Sequence, residues 1–251
     1  MWNSLKSDIY RTLHTKSFYV ILSFIIVLYA LILTDSGVQT STIFAQFHRE
    51  QNTFADFLIY FPKSGLFVLL VLLFVAIFMS DEYIFDYAKN TYSIHVKKWK
   101  MVLSRYLYCF LITTFYTLAM LLCALVIQVI LPMKGGSIQI GDYAIYLIIQ
   151  IAFIGVMASF IMMVIHLTRS RIIAIVIPLL YGMQMWYMLV GSIIIYLLKS
   201  EDILKYTTYQ SSGELPSTFS IEGYSLALFV LIGNTLLYNG ISYLILKKKD
   251  I

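Results

Sequence analysis

The stretch from Asp81 to Lys100 is the richest in ionisable side chains of this 251-residue chain, and its charges are sorted by sign. Asp81, Glu82 and Asp86 come first, with Tyr83 beside them. Lys89, Lys97, Lys98 and Lys100 follow, with Asn90 opening a polar middle at Asn90–Ser93. A sorted array of this kind suits the docking of a soluble partner, because opposite charges orient what they meet. A solvated loop is the plainer reading of the same residues. Helix-forming residues flank the polar middle, so two short helices with a bend are expected there.

Covalent chemistry finds little to work with. There is no G-x-x-x-x-G-K-[ST] phosphate cradle, and Gly135-Gly136 has no lysine after it. H-E-x-x-H, C-x-x-C and G-x-S-x-G are absent as well. His14, His48, His95 and His166 are scattered, and His48-Arg49-Glu50 supplies only two metal-ligand types in one loop. Cys109 and Cys123 stand fourteen residues apart, about 21 Å along a helix, which is too far for a bond between them. The sequence therefore nominates no catalytic, cofactor-binding or metal-ligating residue.

The elements that must carry the charged stretch are six runs without Asp, Glu, Lys or Arg: Ser17–Thr34, Ser64–Ser80, Tyr106–Met133, Tyr143–Thr168, Ile172–Leu198 and Gly223–Leu246. A hydrocarbon core of about 30 Å takes about 20 helical residues to cross. With 60% hydrophobic and 12% charged residues and a mean hydropathy of +0.83, an ordinary soluble domain is excluded. The expected fold is all-α: one polytopic membrane domain over 1–251, with six transmembrane helices at about 17–34, 60–80, 106–132, 143–168, 172–198 and 223–246. In the second, Pro62 would sit in the first turn and Lys63 would snorkel, drawing Leu58–Phe61 into the helix. Tyr19, Tyr60, Tyr106, Tyr143 and Tyr224 near run ends fit interfacial belts. Ser17–Thr34 is longer than a signal-peptide core and lacks an A-x-A site, so it is expected to stay as a span.

Six spans put both termini on one side. Placing that side in the cytoplasm puts thirteen of the 18 basic residues inside, leaving Arg49, Lys63, Lys134, Lys199 and Lys205 outside. The positive-inside rule then predicts N-in, C-in and makes 81–105 a cytoplasmic loop. It also accounts for the +5 net charge without nucleic acid. Residues 1–16 predict a separate interfacial helix: Trp2, Leu5, Ile9 and Leu13 share one face, for the membrane, with Asp8 and Arg11 roughly opposite.

Within the runs the only ionisable group of this set is His166, which disfavours an intramembrane enzyme or a proton pump. Gly155 and Ser159 form a small-xxx-small pair suited to helix contact. The fifth run carries Pro178, Gly182, Gln184, Trp186, Tyr187 and Gly191. A proline that removes a helix hydrogen bond, and an amide at mid-depth, suit a kinked segment lining a route. Pro178, Gln184, Trp186 and Tyr187 are the pathway candidates, and ordinary helix packing is the competing reading.

Glu82-Tyr83, Lys89-Asn90, Lys98 and Ser104-Arg105 match the spacing of a loop motif, E-Y-x-x-G-T-x-K-N followed by a basic residue and a closing S-R, with Asp86-Tyr87 in place of Gly-Thr. On this motif and the topology, the whole chain resembles a permease subunit of an ABC type-2 transporter. Among these it is similar to the compact peptide permeases of Gram-positive bacteria that serve lantibiotic immunity and export phenol-soluble modulins.

The resemblance implies a bacterial plasma-membrane protein whose loop 81–105 docks a separate ATP-binding subunit, expected in two copies. ATP and magnesium would bind to that partner and none to this chain. A second permease chain, identical or homologous, would complete the pathway, with contacts on the first and fifth spans and lipid around the rest. Cargo would be amphipathic or antimicrobial peptide, with drugs, ions and lipid-linked sugars as alternatives. A membrane-embedded enzyme and a sensor or scaffold are the other classes left open.

Overall fold

Apolar runs of this length satisfy their backbone groups in lipid only as helices, and every regular element among the described residues is helical. The computed structural model describes residues 2–34, 54–84, 97–130, 139–182, 185–199 and 202–248. In chain order the α-helices are α1 (Trp2–His14), α2 (Lys16–Thr34), α3 (Phe54–Tyr60), α4 (Gly65–Ile84), α5 (Lys98–Ile130), α6 (Ile140–Thr168), α7 (Arg171–Gly182), α8 (Met185–Leu198), α9 (Thr208–Gly213) and α10 (Ile221–Lys248). Short 3₁₀ turns occupy Phe61–Lys63 and Asp202–Tyr206.

Four helices are long and apolar enough to cross a bilayer: α4 over Gly65–Glu82, α5, α6 and α10. The pair α1 and α2, bent by 67°, would make a fifth. The central helix is α6, with 72% of its most apolar window buried, whereas α10 buries 11% and lies at the periphery. The main core joins Phe18 and Ile25 of α2, Phe74 and Phe78 of α4, Tyr108 and Tyr116 of α5, Met157 and Ile161 of α6, and Ile177 of α7. A smaller cluster packs Tyr146 and Phe153 of α6 against Tyr224, Ala227 and Val230 of α10.

Three boundaries differ from the runs. The second run does not begin as one helix at 60, because Pro62 is held in the 3₁₀ turn and Ser64 follows with an extended ψ of 131°. The helix α4 starts afresh at Gly65, while Phe54–Tyr60 forms the separate α3. At its other end α4 continues to Ile84, and α5 begins at Lys98, so both ends of the expected 81–105 loop are helical.

The fifth run carries α7 and α8, and residues 183–184 between them lie outside the described residues. Its proline, Pro178, lies inside α7. At the C-terminal end of α7 the backbone of Gly182 meets that of Gly65. A Cβ on Gly65 would lie 2.6 Å from the Gly182 carbonyl oxygen, and one on Gly182 would collide with Leu69. Only glycine permits this approach. Between α6 and α7 the chain reverses in two residues. Arg169 adopts φ 55°, its amide bonds the Ile165 carbonyl at 2.8 Å, and α7 follows from Ser170.

The polar segment between α8 and α10 folds back into the bundle. Gln150 of α6 donates to the Ser212 carbonyl at 2.7 Å, and Tyr181 of α7 lies 3.3 Å from the Thr208 hydroxyl. Ten residues separate Gln150 from the start of α6, so α9 sits about 15 Å down that helix. Tyr143 and Tyr146 cap the Leu58 and Ile59 carbonyls of α3 at 3.2 and 2.6 Å, and Tyr224 caps that of Pro216 at 2.8 Å. The first two bonds satisfy acceptors that the end of α3 leaves open.

Candidate functional site

The charged groups at the end of α4 reach three other helices. Glu82 is 3% exposed, and each of its oxygens meets a different arginine. Arg11 Nη1 of α1 donates to Oε1 at 2.8 Å, and Arg105 Nη1 of α5 lies 2.5 Å from Oε2. Asp8 of α1 completes the group at longer range, with Arg105 Nε at 3.6 Å and Arg11 Nη1 at 3.7 Å. Two acids and two bases thus share one pocket, and Asp8, Glu82 and Arg105 are all less than 5% exposed. Four charges balancing to zero can be buried together where one alone could not.

Apolar and hydroxyl contacts hold this cluster in place. The Arg11 guanidinium lies over the Phe78 ring at 4.7 Å, and Arg105 donates to the Met79 sulfur at 3.0 Å. Thr12 donates to the Asp8 carbonyl at 2.8 Å and also bonds the Tyr108 hydroxyl of α5. Burial pushes the Asp8 carboxyl above its ordinary value; Arg105 pulls it down, Glu82 pushes it up, and Arg11 pulls it down. Desolvation wins because both arginines make their close contacts with Glu82 instead.

The adjacent residue, Asp81, faces another way and pairs with Arg171 at the start of α7 at 3.6 Å. Lys98, at the start of α5, donates to the Leu246 carbonyl near the end of α10 at 2.7 Å. That lysine satisfies an acceptor left open by the helix terminus and opposes its dipole. The helices α1, α4, α5, α7 and α10 therefore converge at one end of the bundle, joined by charge.

Of the residues nominated from sequence, Glu82, Asp81 and Lys98 enter these contacts. Lys97 is exposed, and Lys100 lies 5.7 Å from the Trp99 ring. Tyr83 is in the last turn of α4. Asp86, Lys89 and Asn90 lie outside the described residues, as do His48-Arg49-Glu50 and Gln184. Pro178 is buried in α7, and Trp186 and Tyr187 occupy the first turn of α8.

The interfacial face expected of α1 needs correction at Leu5, which packs on protein. The protein-facing stripe is Leu5, Asp8 and Thr12, whereas Trp2, Ile9 and Leu13 are exposed. Sequence reasoning placed Asp8 and Arg11 on the face away from the membrane and used Arg105 only as the end of a motif. The usable signal was complementarity: an acid pair ends one span, an arginine begins the next, and the preceding amphipathic helix carries one of each sign.

The long apolar helices define the class, an all-helical membrane protein. No family model matches the chain, and no curated protein matches it. The residues of the hub bind helices α1, α4 and α5 to one another.

Proposed function

We propose that this chain is the membrane-spanning permease subunit of an ATP-driven exporter of the ABC type-2 kind, carrying amphipathic or antimicrobial peptides across a bacterial plasma membrane. The observation that carries the reading is the hub at the end of α4. Glu82 and Asp81 link α4 to α1, α5 and α7 immediately before the polar stretch 85–96, which carries Asp86 and Lys89. A partner that pushes on 85–96 would thereby move four helices together, which is what a coupling element must do.

In this reading α2, α4, α5, α6, α7 with α8, and α10 are the six spans, with both termini cytoplasmic. By the same reading, ATP and magnesium bind a separate subunit, present in two copies. A second permease chain pairs with this one, and the Pro178–Gly191 region lines the route between them.

Single cysteines placed through Tyr83–Lys98 and crosslinked in native membranes provide the test. The expected product joins this chain to a protein with its own G-x-x-x-x-G-K-[ST] motif. An assembled complex in which no position along the stretch captures such a protein overturns the proposal.

A further inference from the structure

A second site lies away from the charged hub, where the returning segment meets α6, α7 and α10. It is a cavity of about 230 Å³ walled by Phe160, Tyr181, Thr208, Tyr209, Asn234 and Tyr238. The rings form a continuous series: Tyr238 to Phe160 at 5.2 Å between centroids, Phe160 to Tyr181 at 6.1 Å, and Tyr181 to Tyr209 at 6.5 Å. Polar atoms are interspersed with them. Thr208 and Tyr181 share a hydroxyl contact at 3.3 Å, and Asn234 uses its amide nitrogen on the Val230 carbonyl at 3.0 Å. The amide oxygen of Asn234 is the acceptor of that side chain. None of the described residues that line the cavity is charged.

We propose that this cavity binds a neutral aromatic group of one or two rings that carries a hydrogen-bonding edge. Size sets the upper limit, since an apolar cavity of about 150 Å³ holds benzene and drug-sized ligands need about 300 Å³ or more. A volume of about 230 Å³ therefore suits an indole or a naphthol rather than a whole drug or a bare alkyl chain. Charge sets the second limit. A charged ligand would leave water for a wall that offers it no counter-ion, so the neutral form is selected. The ring series supplies stacking and edge contacts, and the Asn234 amide and the Thr208 and Tyr181 hydroxyls receive the polar edge.

Both a free small molecule and a tryptophan or tyrosine side chain on a longer peptide carry this chemistry. Tyr206, 52% exposed, stands at the margin of the cavity, and Asn234 and Tyr238 are half-buried on the peripheral α10. The site is thus open to a ligand from outside the bundle. This inference goes beyond the exporter reading, because such a cavity would bind its ligand with no ATPase and no second permease present.

The experiment uses the full chain in lipid nanodiscs, without ATP, and tritiated 2-naphthol in a scintillation proximity assay corrected for empty nanodiscs. Saturable binding is expected, competed by unlabelled 2-naphthol but not by 2-naphthalenesulfonate or 2-naphthyltrimethylammonium. Competition by a capped Ala-Trp-Ala peptide assigns the site to a side chain of a longer molecule, and its failure beside competition by indole assigns it to a free small molecule. Tyr181→Ala should weaken 2-naphthol binding about tenfold. Asn234→Leu should reduce the preference for 2-naphthol over naphthalene, and Asn234→Trp should block both.

Each variant is compared at unchanged elution profile and helicity, and Asn234 on the peripheral helix keeps the test open if Tyr181→Ala fails to fold. Equal binding of the charged analogues, no saturable component, or binding unaffected by Asn234→Trp overturns the proposal. None of these outcomes bears on docking of an ATPase at 85–96.

Discussion

At the scale of single residues, the four charges of the hub behave as one unit. Removing one member of a buried, balanced set leaves an uncompensated charge, at a cost of about 3–5 kcal/mol. Glu82→Leu and Arg105→Leu should each lower the thermal unfolding midpoint of the purified chain. The double variant, which keeps Asp8 with Arg11, should lie above both singles, as a double-mutant cycle of melting curves would reveal. Asp8 gives a separate pH signature. Its carboxyl holds a proton more tightly when α1 is docked than when it is free. The contribution of Asp8 to docking is therefore fully present below the ordinary value of 3.8 and is lost as pH rises through the elevated docked-state value. Hydrogen exchange of α1 amides, corrected for intrinsic rates, should show this dependence in the wild type and lose it in Asp8→Asn.

The position of Leu5 shows where spacing misleads. Periodicity puts it in one stripe with Trp2, Ile9 and Leu13, yet those three are exposed while Leu5 packs on protein with Asp8 and Thr12. Beside a membrane, the exposed apolar side faces lipid and the polar side is free to pack on protein. Arg11 lies three residues from Asp8, but the contacts that join α1 to Glu82 and to Arg105 span 71 and 97 residues, and no periodicity brings those helices together. Glu82 was legible because it ends an uncharged run; its two arginines were not.

At the scale of elements, length and apolar composition located α2, α5, α6 and α10 to within several residues. They did not locate the 3₁₀ turn at Phe61–Lys63. Pro62 marks that turn before α4, whereas Pro178 is accommodated inside α7. Gly182, at the end of α7, lies where two backbones approach, and periodicity alone gives no sign of that contact. Gly182→Ala should destabilise the α4–α7 contact by about 1–3 kcal/mol, because the added methyl group meets Leu69. Gly233→Ala and Gly240→Ala on α10 meet nothing within 4 Å and should leave the melting midpoint unchanged or slightly raised. Three melting curves in one detergent decide the matter.

For the whole molecule, the contacts place the first and last helices at the same end. Asp8 reaches Arg105 and Lys98 reaches Leu246, both partners lying within or beside the first turns of α5. In a background with Cys109 and Cys123 replaced by alanine, Lys98→Cys and Leu246→Cys should crosslink through a short bis-maleimide within one chain. The same reagent on Lys98→Cys with Ile140→Cys should give no intramolecular product, since Ile140 begins the helix that ends at the termini side. A mobility shift on a denaturing gel distinguishes the two.

The neighbouring acids at the end of α4 also restrict how that helix moves. Successive side chains leave an α-helix about 100° apart. Asp81 is held by α7 on one side, and Glu82 by α1 and α5 on another. A shaft keyed at two angles cannot spin in its bearing without shearing one key. Rotation of α4 about its own axis is thus the displacement the hub resists most, and tilting or sliding together with its neighbours is the one it allows. Any impulse delivered just beyond Ile84 should therefore arrive in the bundle as a shared lurch of several helices.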